Sequence, residues 1–178
     1  MGADLDRFMA KRMYFVAMAC LAAAIRLTTA ADPRPSSAEP FLTVLAMEIL
    51  MKAVWRVSKG DRPRFGHRYA EGWHGLDAAV RGTVLDRAGQ RYPGRADLDE
   101  LSRFLPEWEA EFTKGRYGHE PRPPMTEGEL FHGRPPREAG KEGVRDMDVV
   151  RDDTKGALVH GLRRWLEDRL GVSGDVPI

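Results

Sequence analysis

Cysteine is almost absent, with Cys20 the only one in 178 residues. A single thiol cannot close an internal disulfide or furnish a cysteine-rich metal site, and such sparing use fits a reducing compartment. A dominant sign of charge is missing too. With 28 basic and 27 acidic residues the net charge is +1, so no global field draws the chain to nucleic acid or a membrane surface, and any anion site has to be local. His67, His74, His119, His132 and His160 show no paired helical spacing, which leaves metal binding unsupported. No glycine-rich phosphate loop follows a strand, no serine sits in a nucleophile elbow, and neither β alternation nor an internal repeat is visible. No cofactor and no metal are expected.

The N-terminus is where an absence is least clean. Arg7, Lys11 and Arg12 precede an apolar run over 14–25, and Thr28-Thr29-Ala30 loosely resembles a signal-peptide cleavage site. The run is nevertheless too short to span a bilayer and ends at Arg26. It also carries a helical stripe at Met9, Met13, Val16, Cys20, Ala23 and Leu27. The expectation is a folded helix of a cytoplasmic protein that does not engage a membrane.

What is present is helical. The length suits one domain with one core. A first helix is expected over 5–29, closed by Asp32-Pro33-Arg34-Pro35, and a second over 38–58 with Ser36 or Ser37 as its N-cap. Between Phe41 and Trp55 the only charges are Glu48 and Lys52, which places the second helix in the middle of a bundle. A weaker pattern predicts a helix over 73–87. Another starts at Asp97 and carries Leu98, Leu101, Leu105, Trp108 and Phe112 on one face, with Pro106 marking a kink or a fresh start. Residues 115–149 read as a proline- and charge-rich loop, and Asp152, Asp153 or Thr154 caps a last helix through Leu166 that stops at Gly171. The architecture expected is all-α, an up-and-down bundle of about five helices. The second helix has more apolar surface than a small bundle readily hides, so self-association through the first two helices is expected.

Three places can carry chemistry. Glu48 and Lys52 stand at i and i+4, where they either form a buried ion pair that sets helix register or present Lys52 to an anion or a dimer partner. The stretch 61–69 joins Arg62, Arg64, His67 and Arg68 to Phe65 and Tyr69, a composition that holds phosphate or stacks a base, or is simply solvated loop charge. Arg116, His119 and Glu120 follow Phe112 and suit either work on a phosphodiester or a helix-end anchor. Nucleotide or nucleic-acid contact is expected through Arg62, Arg64, His67, Arg68, Arg116 and His119, whereas His67, Arg116, His119 and Glu120 are the catalytic candidates.

The order of these pieces resembles the HEPN family of helical nucleotide-binding domains. Glu48-x-x-x-Lys52 on a core helix, the Gly66-His67 turn, and Arg116-Tyr117-x-x-Glu120 after Phe112 carry the resemblance, which covers 9–120. It implies a helical homodimer in a bacterial defence, toxin-antitoxin or RNA-processing setting, with an antitoxin or nucleotidyltransferase as a protein partner. Catalytic members have an Arg, a polar residue after it, and a His four to six positions beyond the Arg; two such motifs meet across the dimer to cut RNA without metal. Here Pro63 follows Arg62 on the way to His67, Tyr69 follows Arg68 on the way to His74, and Arg116 stands only three residues from His119. A non-catalytic RNA- or nucleotide-binding module, a metal-independent ribonuclease and a dimerisation adaptor all remain open.

Overall fold

The computed structural model describes residues 2–29, 38–94, 96–116 and 147–172. Among these it is all-α: α1 Gly2–Thr29, α2 Ala38–Lys59, α3 Tyr69–His74, α4 Ala78–Arg91, α5 Leu101–Arg116 and α6 Met147–Leu170. Helix α2 is the axis. Val44, Ala46, Met47, Leu50, Met51, Ala53 and Val54 are all buried and cover about half of the helix circumference, and Leu45, Ile49 and Trp55 on the other half are partly buried against the core. Helices α1, α3, α5 and α6 all pack against α2, while α4 lies on α6. One cluster of buried side chains draws on all six helices and contains Tyr14, Tyr69, Phe65, Phe104 and Trp108.

The long helices fall close to where periodicity put them, and the differences have local causes. The segment expected as one helix over 73–87 is two, because Leu76 tucks into the core at 2% exposure and Asp77 takes an extended conformation before α4 begins. Asp77 then pairs with Lys59 at the end of α2. The helix expected from Asp97 begins at Leu101. Residue Asp97 acts from the preceding turn, where its carboxylate accepts from the Glu100 N–H at 3.2 Å and its own N–H donates to Thr154 Oγ1 at 2.9 Å. Pro106 lies inside α5 instead of starting it. Both Pro106 and Ser102, whose carbonyl loses its helical donor, are exposed, so water can replace the missing bond. The last helix starts at Met147, before Asp152, and so takes the end of the stretch expected as loop. The expected breaker at 32–35, the caps Ser36 and Ser37, and most of the proline-rich stretch lie outside the described residues.

The correction on α1 is larger. Of the stripe Met9 to Leu27, Val16 is 52% and Leu27 38% exposed; the buried face is Ala10, Tyr14, Ala17, Met18 and Ala24. Apolar residues occur on every side of this helix, so hydrophobicity alone does not choose the phase. The heptad-spaced alanines do, because small side chains let two helix backbones approach closely.

The tightest crossing joins α4 to α6 at Gly161, where a Cβ would sit 2.3 Å from the Val84 carbonyl oxygen and 3.1 Å from the Ala88 Cβ. Gly161→Ala gains about 1 kcal/mol of helix propensity. Against that stands a clash with rigid backbone that overpacking costs put at about 1 to 3 kcal/mol or more. The variant should therefore melt a few degrees below wild type. A thermal melt showing equal or higher Tm would mean that α4 and α6 separate at little cost.

Candidate functional site

Glu48 is 3% exposed in the middle of α2 and serves three donors. Lys52 Nζ donates to Oε1 at 2.5 Å, while His67 Nδ1 and the Tyr69 hydroxyl share Oε2 at 2.8 and 3.0 Å. An unaccompanied carboxylate there would be strongly disfavoured, so the three bonds are a condition of its burial. The first partner comes from Glu48's own helix by i,i+4 spacing. The other two come from the chain that leaves α2, which has to turn back to deliver them. Gly66, at φ 60°, makes that turn in a backbone region open to glycine. Arg68 N–H closes it on the Phe65 carbonyl at 2.9 Å.

Aromatic rings floor the site. His67 lies 4.9 Å from Phe112 of α5, and Phe112 stacks in turn on Phe41 of α2 at 5.1 Å. Lys52 Nζ stands 5.9 Å from the centre of the Phe65 ring, near enough for a cation–π contact. Glu109, one turn before Phe112, accepts from the Tyr69 backbone N–H at 3.2 Å. A carboxylate opposite Nδ1 makes that nitrogen the protonated one, which orients the imidazole. The side chain of His67 is 44% exposed, whereas that of Glu48 is 5% exposed. Tyr69 is held in its neutral form, its pKa raised far above the ordinary tyrosine value by burial first and then by the Glu48 charge and hydrogen bond and the Glu109 charge.

The remaining expected contacts surround this centre unevenly. Arg62, Arg64 and Arg68, which share a short stretch of chain with His67, are all exposed. Arg64 approaches Asp61 at 3.9 Å and Arg68 pairs with Glu71 at 2.7 Å. Arg116 is the last residue of α5, four beyond Phe112 and so about one helical turn further along. His119 and Glu120 lie outside the described residues. Phe112 and Glu109 were missed as site residues, and Tyr69 was expected only as an aromatic of the basic stretch, not as a donor to Glu48. Tyr69, two beyond His67 in the basic stretch, was the readable one; nothing in the chain's local pattern links α5 to that stretch.

A second buried carboxylate, Glu167 of α6, accepts from the Tyr14 hydroxyl, Arg163 Nε and Arg164, each at 2.7 Å. Burial by itself would raise its pKa, but the bonds from Arg163 and Tyr14 and the two guanidinium charges bring it below the ordinary value. This cluster fastens α1 to α6. Nearby, a cavity of about 230 Å3 is lined by Asp6, Arg7, Arg56, Val57, Gly60 and Arg169. Each of its three cations already has a contact: Arg56 pairs with Asp6 at 2.6 Å, Arg7 donates to the Arg169 carbonyl at 3.2 Å, and the Arg169 guanidinium lies 5.5 Å from the centre of the Trp165 ring. Among the described residues no group of three or more His, Cys, Asp or Glu side chains is placed to hold a metal. Comparison with protein-family models, curated proteins and solved structures finds no match to this chain.

Two outcomes follow from these carboxylates. Removing Glu48 strands Lys52 and the site hydroxyl, so Glu48→Ala should cost about 3 kcal/mol or more. Lys52→Met, at a position 22% exposed, should cost less than Lys52→Ala because the apolar stem keeps its packing. Equal melts for all three variants would mean that Glu48 is hydrated and not committed to its donors. The second outcome concerns alkaline pH. Burial, then the Glu167 hydrogen bond and charge, push Tyr14 up to about 12. An unfolded tyrosine ionises near 10, so the stability that neutral Tyr14 supplies is complete below that pH and is lost as pH rises toward 12. Denaturant unfolding from pH 9 to 12 should give a steeper fall for wild type than for Tyr14→Phe; matching slopes would sink the assignment.

Proposed function

We propose that the chain is a HEPN-like RNA- or nucleotide-binding module whose contact surface is the basic turn over 61–68. The observation that carries this reading is the placement of His67. It is exposed at the surface yet oriented from below by buried Glu48 and Phe112, and the same short stretch of chain carries exposed Arg62, Arg64 and Arg68. Three guanidinium groups against Asp61 give the turn a local positive balance that the whole chain lacks. Arginine offers a rigid fork of donors to phosphate oxygens, and an exposed imidazole backed by a ring can stack on a base. A bacterial defence or toxin-antitoxin setting, with an antitoxin or nucleotidyltransferase as protein partner, belongs to the same proposal.

The bond of 2.8 Å between His67 Nδ1 and Glu48 favours a second reading, metal-independent RNA cleavage. A carboxylate that fixes one imidazole nitrogen orients the other to take a proton, here from a ribose 2′-hydroxyl as its oxygen attacks phosphorus; the bond from phosphorus to the 5′-oxygen of the next nucleotide breaks, and that oxygen leaves with a proton from water, giving a 2′,3′-cyclic phosphate. Binding needs the arginines; cleavage needs His67 also.

Labelled single-stranded RNA, titrated across salt without added metal, separates the readings. Replacing Arg62, Arg64 and Arg68 together by Ala should weaken binding at least tenfold and flatten its salt dependence by roughly two log–log units. His67→Ala should retain most of the binding. If wild type cuts RNA and His67→Ala does not, the enzyme reading stands; if no protein cuts, the module stands. Should wild type fail to bind even at low salt, both are wrong and a dimerisation adaptor is what survives.

A further inference from the structure

Surplus apolar surface was expected on the second helix, but among the described residues no large hydrophobic side chain of α2 is exposed. Among the described residues every exposed large hydrophobic side chain is on α1: Leu5 61%, Phe8 56%, Phe15 50%, Val16 52%, Ile25 42% and Leu27 38%. Leu5, Phe8 and Phe15 fall in one seam with Arg12, Ala19 and Ala22, at alternating steps of three and four. The seam lies on the opposite side of α1 from the buried alanines Ala10, Ala17 and Ala24.

We propose that this seam is the site where α1 pairs with α1 of a second copy, antiparallel, with the twofold axis between residues 13 and 14. The order of side-chain sizes supports this register. Leu5 then faces Ala22 of the other copy, Phe8 faces its Ala19, and Arg12 faces its Phe15, with each contact repeated by symmetry. Large meets small at two levels, and at the third the guanidinium lies on an aromatic face. The other occupant such a helix suggests is a lipid surface: the run over 14–25 is too short to span a bilayer, but the whole stretch Asp4–Leu27 of α1 is by length and composition long and apolar enough to cross one. Arg12 decides against it, because it sits at the centre of the seam, where lipid would surround it but a second α1 supplies a ring. The area is sufficient. Four half-exposed large side chains present about 400 Å2, taking roughly 200 Å2 for a whole one. Two copies with their flanks reach about 1,000 Å2, where specific interfaces begin, so the dimer should be of micromolar strength.

Sedimentation velocity of the full chain over about 1 to 100 µM should show a monomer passing to dimer. Phe8→Glu with Phe15→Glu, both at the surface, should leave the circular dichroism spectrum unchanged and raise the dimer dissociation constant at least a hundredfold. Register is read separately in a Cys20→Ala background. Phe8→Cys with Ala19→Cys should give a disulfide-linked dimer, while Ala19→Cys alone should not, because residues 19 of the two copies lie roughly 16 Å apart along the axis. A monomer throughout, a glutamate variant that still dimerises, or a dimer cross-linked through Ala19→Cys alone overturns the proposal. So does monomeric wild type that floats with anionic phosphatidylserine vesicles and loses flotation in the glutamate variant, which would give the seam to lipid.

Discussion

A single carboxylate placed at the centre of an apolar helix dictates much of the surrounding structure. Glu48 cannot be buried without donors, and α2 offers only Lys52 within reach. The other two donors, His67 and Tyr69, have to come from outside the helix, so the chain beyond α2 is obliged to fold back at Gly66 and present the pair on one carboxylate oxygen. Once that turn is in place, Phe65 is buried, α3 begins at Tyr69, and Arg62, Arg64 and Arg68 of the same stretch are left exposed. Electrostatic satisfaction inside thus positions charge outside. A loop bearing three arginines would otherwise have no reason to hold one conformation.

The rest of the bundle is held by ordinary packing around a small number of polar fasteners. Glu167 with Tyr14, Arg163 and Arg164 joins α6 to α1. Lys155, with its side chain 6% exposed, joins α6 to α5 through Glu111 at 3.1 Å, with Trp108 beneath it at 5.7 Å. Each fastener buries a charge only where a partner from another helix is waiting, which selects one arrangement of helices among many that would hide the same apolar area. Small residues complete that selection. Gly161 and the heptad alanines of α1 set how closely α4, α6, α1 and α2 approach.

Legibility in the sequence followed how strongly each signal was tied to its own neighbourhood. The second helix was plain because its apolar run excludes any other placement, and Glu48–Lys52 was plain because i,i+4 geometry is local. Gly66-His67 was readable as a turn, but its purpose was not, since the carboxylate it serves lies 19 residues earlier in sequence. Phe112 was readable only as one more core residue of α5. That its ring supports His67 depends on how α5 lies against α2, and no spacing encodes that. The face of α1 was misread for a related reason: large apolar side chains occupy both candidate stripes, so the pattern had two solutions and packing chose the one with smaller residues.

The sequence by itself determined the helical class, the near-neutral charge with its basic turn, and the placing of Glu48 and Lys52 on one face of a central helix. These depend on composition and on steps of three or four residues, which any helix converts directly into geometry. Tertiary structure alone decided that His67 and Tyr69 share the carboxylate with Lys52, that α5 supplies the floor, and that α1 turns Leu5, Phe8 and Phe15 outward. Those outcomes join segments far apart in the chain, and they are settled by which helix surfaces can approach closely while leaving no buried charge alone.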